Sequence, residues 1–187
     1  MGAMISVEAL ELAGAAELCS IAREDSRGWF ARFFCEAELD ELTGGRPIQQ
    51  INASFTAEKG AVRGLHFQYP PHAEDKFVRC LRGEVFDVMV DLRRGSATFG
   101  KWHAIHLDPA KMNMAFIPQG FAHGFQTLTT DCQLLYLHTE CFSPDDQGGL
   151  HHASAEIGID WPLPVTELSE RDATLAALES SFEGIEL

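Results

Sequence analysis

The chain is short of positive charge: 14 Lys and Arg stand against 28 Asp and Glu in 187 residues, a formal net charge of -14. That balance excludes wrapping around nucleic acid or holding to an anionic membrane surface, so an anionic ligand must find a local basic patch. Cysteine is sparse and unpatterned, with Cys19, Cys35, Cys80, Cys132 and Cys141 making an odd count without C-x-x-C spacing. Neither a disulfide framework nor a zinc ribbon is indicated, and a reducing cytoplasm is the expected compartment. No apolar run reaches the roughly 18 residues of a spanning helix, and the N-terminal stretch lacks a basic region ahead of an apolar core. Internal repeats and low-complexity tracts are also missing, which excludes a solenoid.

What the chain does have is a series of short apolar runs divided by turn residues, in a length that fits one domain. QQINASF, AVRGLHFQ, KFVRCL, EVFDVMVDL, KWHAIHL, MNMAFI and CQLLYLHTECF all read as strands, so the expected architecture is an all-β sandwich or barrel with its core in about 49–163. EVFDVMVDL puts Phe86, Val88, Val90 and Leu92 on one face and Val85, Asp87, Met89 and Asp91 on the other. CEAELDELTGG reads as a brief helix stopped by Gly44 and Gly45, and SERDATLAALES (169–180) as a C-terminal helix. Eight of the basic residues fall between Lys59 and Lys101, which is the basic patch on offer.

Two histidines raise the question of a metal. Pro118, Gly120 and His123 have the P-x-G-x-x-H spacing with which cupin barrels place a ligand histidine. Such a site also needs an H-x-H pair and a glutamate, to reach three or four N and O ligands. Here the earlier segment reads His66-Phe67-Gln68, and Glu74 lies in loop-like sequence. The expectation is therefore no metal and no other cofactor. Period-2 alternation puts Val62, Gly64, His66 and Gln68 on one face, with Gly64 leaving space beside the ring.

RGLHFQ (63–68), PPHAEDKFVRCLRGEVFDVMVDLRRGSATFGKW (70–102), IPQGFAHGF (117–125), LLYL (134–137) and IGIDWPL (157–163) together resemble the dTDP-4-dehydrorhamnose 3,5-epimerase family. The resemblance covers about two-thirds of the chain, in order. It implies a cupin-type jelly roll with peripheral N-terminal strands, acting on a dTDP-4-dehydro-6-deoxyhexose without metal, as a homodimer formed by strand exchange. In a 4-keto sugar the hydrogens on C3 and C5 are α to the carbonyl. A base can remove either one if the enolate is stabilised, and reprotonation on the opposite face inverts the carbon.

By the same resemblance His66 is the base, Lys76 faces the C4 oxygen and Tyr136 returns a proton from the other side. Arg27 and Arg63 match residues that hold the diphosphate, where a planar guanidinium suits phosphate oxygens. Gln50, Asn52, His123 and Phe142 are expected to line the substrate pocket. Strict alternation sends Arg63 to the face opposite His66, so its role requires a bulge in that strand. Asp172 has two readings. Ser169-x-x-Asp172 resembles a capping box, whereas LSERD resembles the family's LS-x-x-D, whose aspartate orients the histidine; the second is preferred.

Departures from the family pattern are concentrated late in the chain. Phe142 stands where a tyrosine is usual, Leu137 where a lysine is usual, and Asp145 to Ser154 lacks the family's arginine and tryptophan. His138, two residues after Tyr136, falls on the tyrosine's face. These changes leave open inversion at C3 alone and a binding module without turnover, and His66 with His123 leaves open a metal-dependent cupin enzyme.

Overall fold

A computed structural model of the protein describes residues 3–187. Strands β1 (Ile5–Ala9) and β2 (Ala16–Ser20) lead to a small hairpin, β3 (Arg23–Asp25) and β4 (Gly28–Phe30), and then to helix α1 (Glu36–Thr43). Next come β5 (Gln50–Thr56), β6 (Val62–Gln68), β7 (Lys76–Arg82), β8 (Val85–Asp91) and β9 (Trp102–Leu107). The series continues with β10 (Asn113–Ile117), β11 (Phe121–Thr127), β12 (Cys132–His138), β13 (Gln147–Gly149) and helix α2 (Glu170–Ala173).

Two antiparallel sheets form the body, with strand orders β1-β2-β10-β7-β12-β5 and β13-β6-β11-β8-β9. Val78, Ala115, Ile117 and Leu134 from the first pack against Val85, Met89, Ile105, Leu107, Phe121 and Phe125 from the second. These residues alternate along their strands, which is why the sheets bury one face each against the other. All seven expected strands are present. The N-terminal strands are less peripheral than expected, because β2 pairs with β10 inside the sheet and Ala16 and Leu18 are buried. Strand β11 was not anticipated as a strand: every residue from Phe121 to Thr127 is buried, so no polar alternation marks it.

Helix α1 stops as its sequence directs, with Gly44 at φ 59° and its N–H on the carbonyl of Asp40. The C-terminal helix is shorter than expected, because only Glu170–Ala173 is helical. Beyond Thr174 the backbone bonds to the barrel instead: His151 N–H donates to the carbonyl of Ala176, Leu178 N–H to Ser154 Oγ, and Ile185 N–H to the carbonyl of Leu92. Leu178 and Ile185 thereby join Leu65, Phe67, Val88, Val90 and Leu92 in a second core on the outer side of the five-stranded sheet. Both faces of β8 are consequently buried, and burying Leu178 and Ile185 there is worth more than a few further helical bonds.

Strand β6 carries the irregularity that the Arg63 reading requires. His66 lies opposite His123 and Arg63 opposite Phe125, so three steps along β6 match two along β11. The extra residue moves Arg63 to the side of the strand that His66 occupies. Gly64 leaves no ligand space, contrary to expectation: a Cβ there would lie 2.6 Å from Gly124 Cα and 2.7 Å from the His123 carbonyl oxygen. The glycine is needed because β11 passes so close, and its φ of 115° is open to glycine alone without strain.

Candidate active site

A cavity of about 260 Å³ opens between the sheets, and its wall includes Arg63, His66, Lys76, His123, Tyr136 and Phe142. Phe125 and Tyr136 line it and also pack in the inner core, so the pocket is the unfilled continuation of that core. A neighbouring cavity of about 610 Å³ shares Arg63 and His66 with it and is bounded by Ser169, Arg171 and Asp172. His66 therefore sits where the two spaces meet.

His66 Nε2 is 2.7 Å from Asp172 Oδ1, and the other carboxylate oxygen accepts the Gly64 N–H at 3.1 Å. A carboxylate only accepts, so the hydrogen of the neutral ring lies on Nε2, which leaves Nδ1 with the lone pair. Burial pushes the imidazole below its usual value, with Asp172 acting the other way, so the ring is neutral and basic at neutral pH. Asp172 does not cap its own helix. Its backbone N–H donates to Ser169 Oγ at 3.0 Å, so serine is the cap and the carboxylate is free to turn to His66.

Lys76 Nζ donates to the His66 carbonyl at 3.2 Å and lies 3.1 Å from Glu74 Oε1. Tyr136 shares a 2.9 Å hydrogen bond with Ser54 Oγ, and burial raises its hydroxyl well above the usual range, keeping it a proton donor. His123 Nε2 is 2.8 Å from Asp87 Oδ2, and burial pushes the Asp87 carboxyl up. Asn52 also lines the pocket.

Two expected contacts are not found there. Gln50 stands behind the wall, where its Oε1 accepts the Phe142 N–H at 3.1 Å and so fixes that ring's backbone. Arg27 lies on the exposed β3–β4 hairpin, its guanidinium paired with Asp25 at 2.6 Å and 88% exposed, away from the pocket. Conversely, Glu74, Ser54 and Gln147 line the pocket without having been anticipated. Asp87 also went unnoticed as His123's partner, although a carboxylate on the same face as Val85 and Met89 was the available signal. Among the described residues no three His, Cys, Asp or Glu side chains converge on one point. No helix among them is long and apolar enough to cross a membrane.

The fold is a cupin-type jelly roll whose pocket gathers an imidazole, an ammonium and a phenol, the groups of a proton-transferring enzyme. The chain belongs to the dTDP-4-dehydrorhamnose 3,5-epimerase family, whose model matches residues 9–180. A dTDP-4-dehydrorhamnose 3,5-epimerase of Sinorhizobium fredii is 41% identical over 167 residues, which are 87% of this chain and 86% of the relative. A dTDP-4-dehydrorhamnose 3-epimerase of Streptomyces niveus is 36% identical over 164 residues, covering 87% and 79% of the two chains. The crystal structure of the dTDP-6-deoxy-D-glucose-3,5-epimerase of Legionella pneumophila in complex with dTDP-4-keto-L-rhamnose aligns with a TM-score of 0.87 at 34% identity, covering 92% of each chain.

Proposed function

We propose that the protein epimerises a dTDP-4-dehydro-6-deoxyhexose at C3 and C5. The observation that carries the reading is His66, paired with Asp172, opening onto the same pocket as Lys76 and Tyr136. His66 Nδ1 takes the proton from the carbon next to the ketone, and the C–H electrons pass into an enolate whose charge rests on the C4 oxygen. Lys76 favours that charge, and Tyr136 gives its proton to the opposite face of the carbon. Solvent then removes the proton from His66 and restores the Tyr136 hydroxyl, so the sum is an isomerisation that needs no metal or organic cofactor. Arg63 holds the diphosphate at the junction of the two cavities, within reach of a sugar in the smaller one.

Phe142 in place of a tyrosine, and Gly148 and His152 in place of the family's arginine and tryptophan, bear on how the sugar turns between the two proton transfers and support a second reading, inversion at C3 alone, the carbon that the Streptomyces niveus relative's name specifies. Reaction in D2O with dTDP-4-keto-6-deoxyglucose and a coupled ketoreductase separates the two. Two deuterons per product, at C3 and C5, are expected; one at C3 makes the protein a mono-epimerase, and none removes the epimerase reading.

The same reading makes the protein a cytoplasmic homodimer. Strand β5 is a sheet edge with Ile51 and Phe55 more than half exposed, and the β3–β4 hairpin exposes Trp29 and Phe30 to a similar degree. An open apolar edge of this kind is a pairing site, and a second copy applied to it brings Arg27 to a diphosphate. Sedimentation equilibrium is expected to give the dimer mass; a monomer at assay concentration would leave Arg27 without a role.

A further inference from the structure

Lys76 is held from two sides, and one holder has no part in the proton transfer described above. Its ammonium has three hydrogens. The Glu74 carboxylate and the His66 carbonyl take two of them, at 3.1 and 3.2 Å, which leaves one for the pocket. The other oxygen of Glu74 accepts from His138 Nδ1 at 2.8 Å, and His138 Nε2 lies 3.4 Å from Asn52 Nδ2. Glu74 and Lys76 are both nearly buried, at 9% and 8% exposure of their side chains. Burial acts to raise the Glu74 carboxyl, but Lys76 and His138 outweigh it and hold the group below its usual value.

The backbone beside Glu74 is equally fixed. Asp75, fully buried, accepts from Arg46 Nε at 2.8 Å and from the Gln119 N–H at 3.0 Å, while its own N–H donates to Thr139 Oγ1 at 2.8 Å. We propose that Glu74, braced by His138, is a positioning residue that aims the third ammonium hydrogen of Lys76 at the substrate's C4 oxygen. A carboxylate shared between a lysine and an imidazole sets the direction of the lysine while leaving its charge in place. The inference rests on the reading of Lys76 as the group that faces that oxygen.

A double-mutant cycle tests it. Glu74→Ala is expected to lower kcat about a hundredfold with little change in KM, the size of effect that a misplaced group of about 1 Å produces. In a Lys76→Ala background the same substitution should cost nothing further, because Glu74 then has nothing to aim. Equal losses in both backgrounds, or no loss in either, overturn the proposal. Glu74→Gln, of nearly the same volume, serves if the alanine variant does not fold. A second readout needs no turnover: in 15N spectra of the ligand-free protein the Lys76 ammonium should exchange slowly in the wild type and rapidly in the Glu74 variant. Rapid exchange in the wild type, or persistence of the slow signal in the variant, overturns the clamp. Absence of deuterium incorporation by the wild type would instead sink the epimerase reading and leave the clamp to be decided by the spectra.

Discussion

His66→Asn is expected to abolish exchange of the substrate's C–H hydrogens with solvent, a loss of about a thousandfold or more in rate. Melting temperature and dTDP binding should stay close to wild type. The reasons are geometric: the ring is about a third exposed, so little packing is lost, and an asparagine amide can still donate to Asp172. What the variant lacks is the second nitrogen, Nδ1, with its lone pair. A variant that unfolds yet keeps its turnover per folded molecule would assign the imidazole to packing and remove it from the chemistry.

Asp172→Asn separates orientation from stability. Because Ser169 Oγ, and not the carboxylate, caps α2, the substitution leaves the helix start intact, and the change in stability should stay within about 1 kcal/mol. The rate should nonetheless fall by about a thousandfold to ten-thousandfold, since the ring loses the acceptor that fixes its tautomer and stabilises its cation. Ser169→Ala should show the converse, costing about 1 kcal/mol with little loss of rate. A destabilised but fully active Asp172→Asn would exclude the pairing from the mechanism. The pH profile adds a sign. The base form of His66 is the neutral one and burial lowers its pKa, so wild-type kcat/KM should hold through neutral pH and drop only below the ordinary value of about 6.5. Asp172 is the main influence raising that pKa, so the acid limb of any residual activity in Asp172→Asn should move to lower pH.

The barrel was legible in the sequence wherever one face of a strand is polar. EVFDVMVDL showed its two faces plainly, but only the structure reveals that both are covered, one by the opposite sheet and one by the chain's last segment. FAHGFQT, with polar His123 and Gln126 buried along with its apolar residues and Gly124 in its middle, was read as a motif instead of a strand, whereas the equally buried but more apolar MNMAFI was recognised. At the site, His66, Lys76, Tyr136 and His123 were singled out through the family resemblance, and they lie together on one pocket. Their carboxylate partners were harder. Asp87 is 36 residues from His123 and Asp172 is 106 from His66, and nothing local in a sequence states such distances. For Asp172 the rival duties proved separable, because its backbone and its side chain go to different partners.

Gln50 shows the opposite limit: a residue carried over by position brings no guarantee of where its side chain goes. The Arg63 difficulty was physical and had a physical answer, a single extra residue in β6 that puts a cation and a base on the same side of one strand.

The placement of Asp172 has a consequence for biosynthesis. The sheets are complete once the chain has been made through β13, but the carboxylate that faces His66 arrives only with the segment that follows. Chains emerge and fold from the N-terminus onward, so a nascent barrel carries its imidazole unaccompanied, with the outer side of β8 still uncovered. That side is covered by Leu150 and Ile157, ahead of Asp172 in the chain, and by Leu178 and Ile185 after it, so His66 gains its carboxylate while the side is being closed. On the proposed mechanism, a copy that ends before Asp172 is both sticky and inert, and quality control that removes exposed apolar surface removes such inactive copies as well.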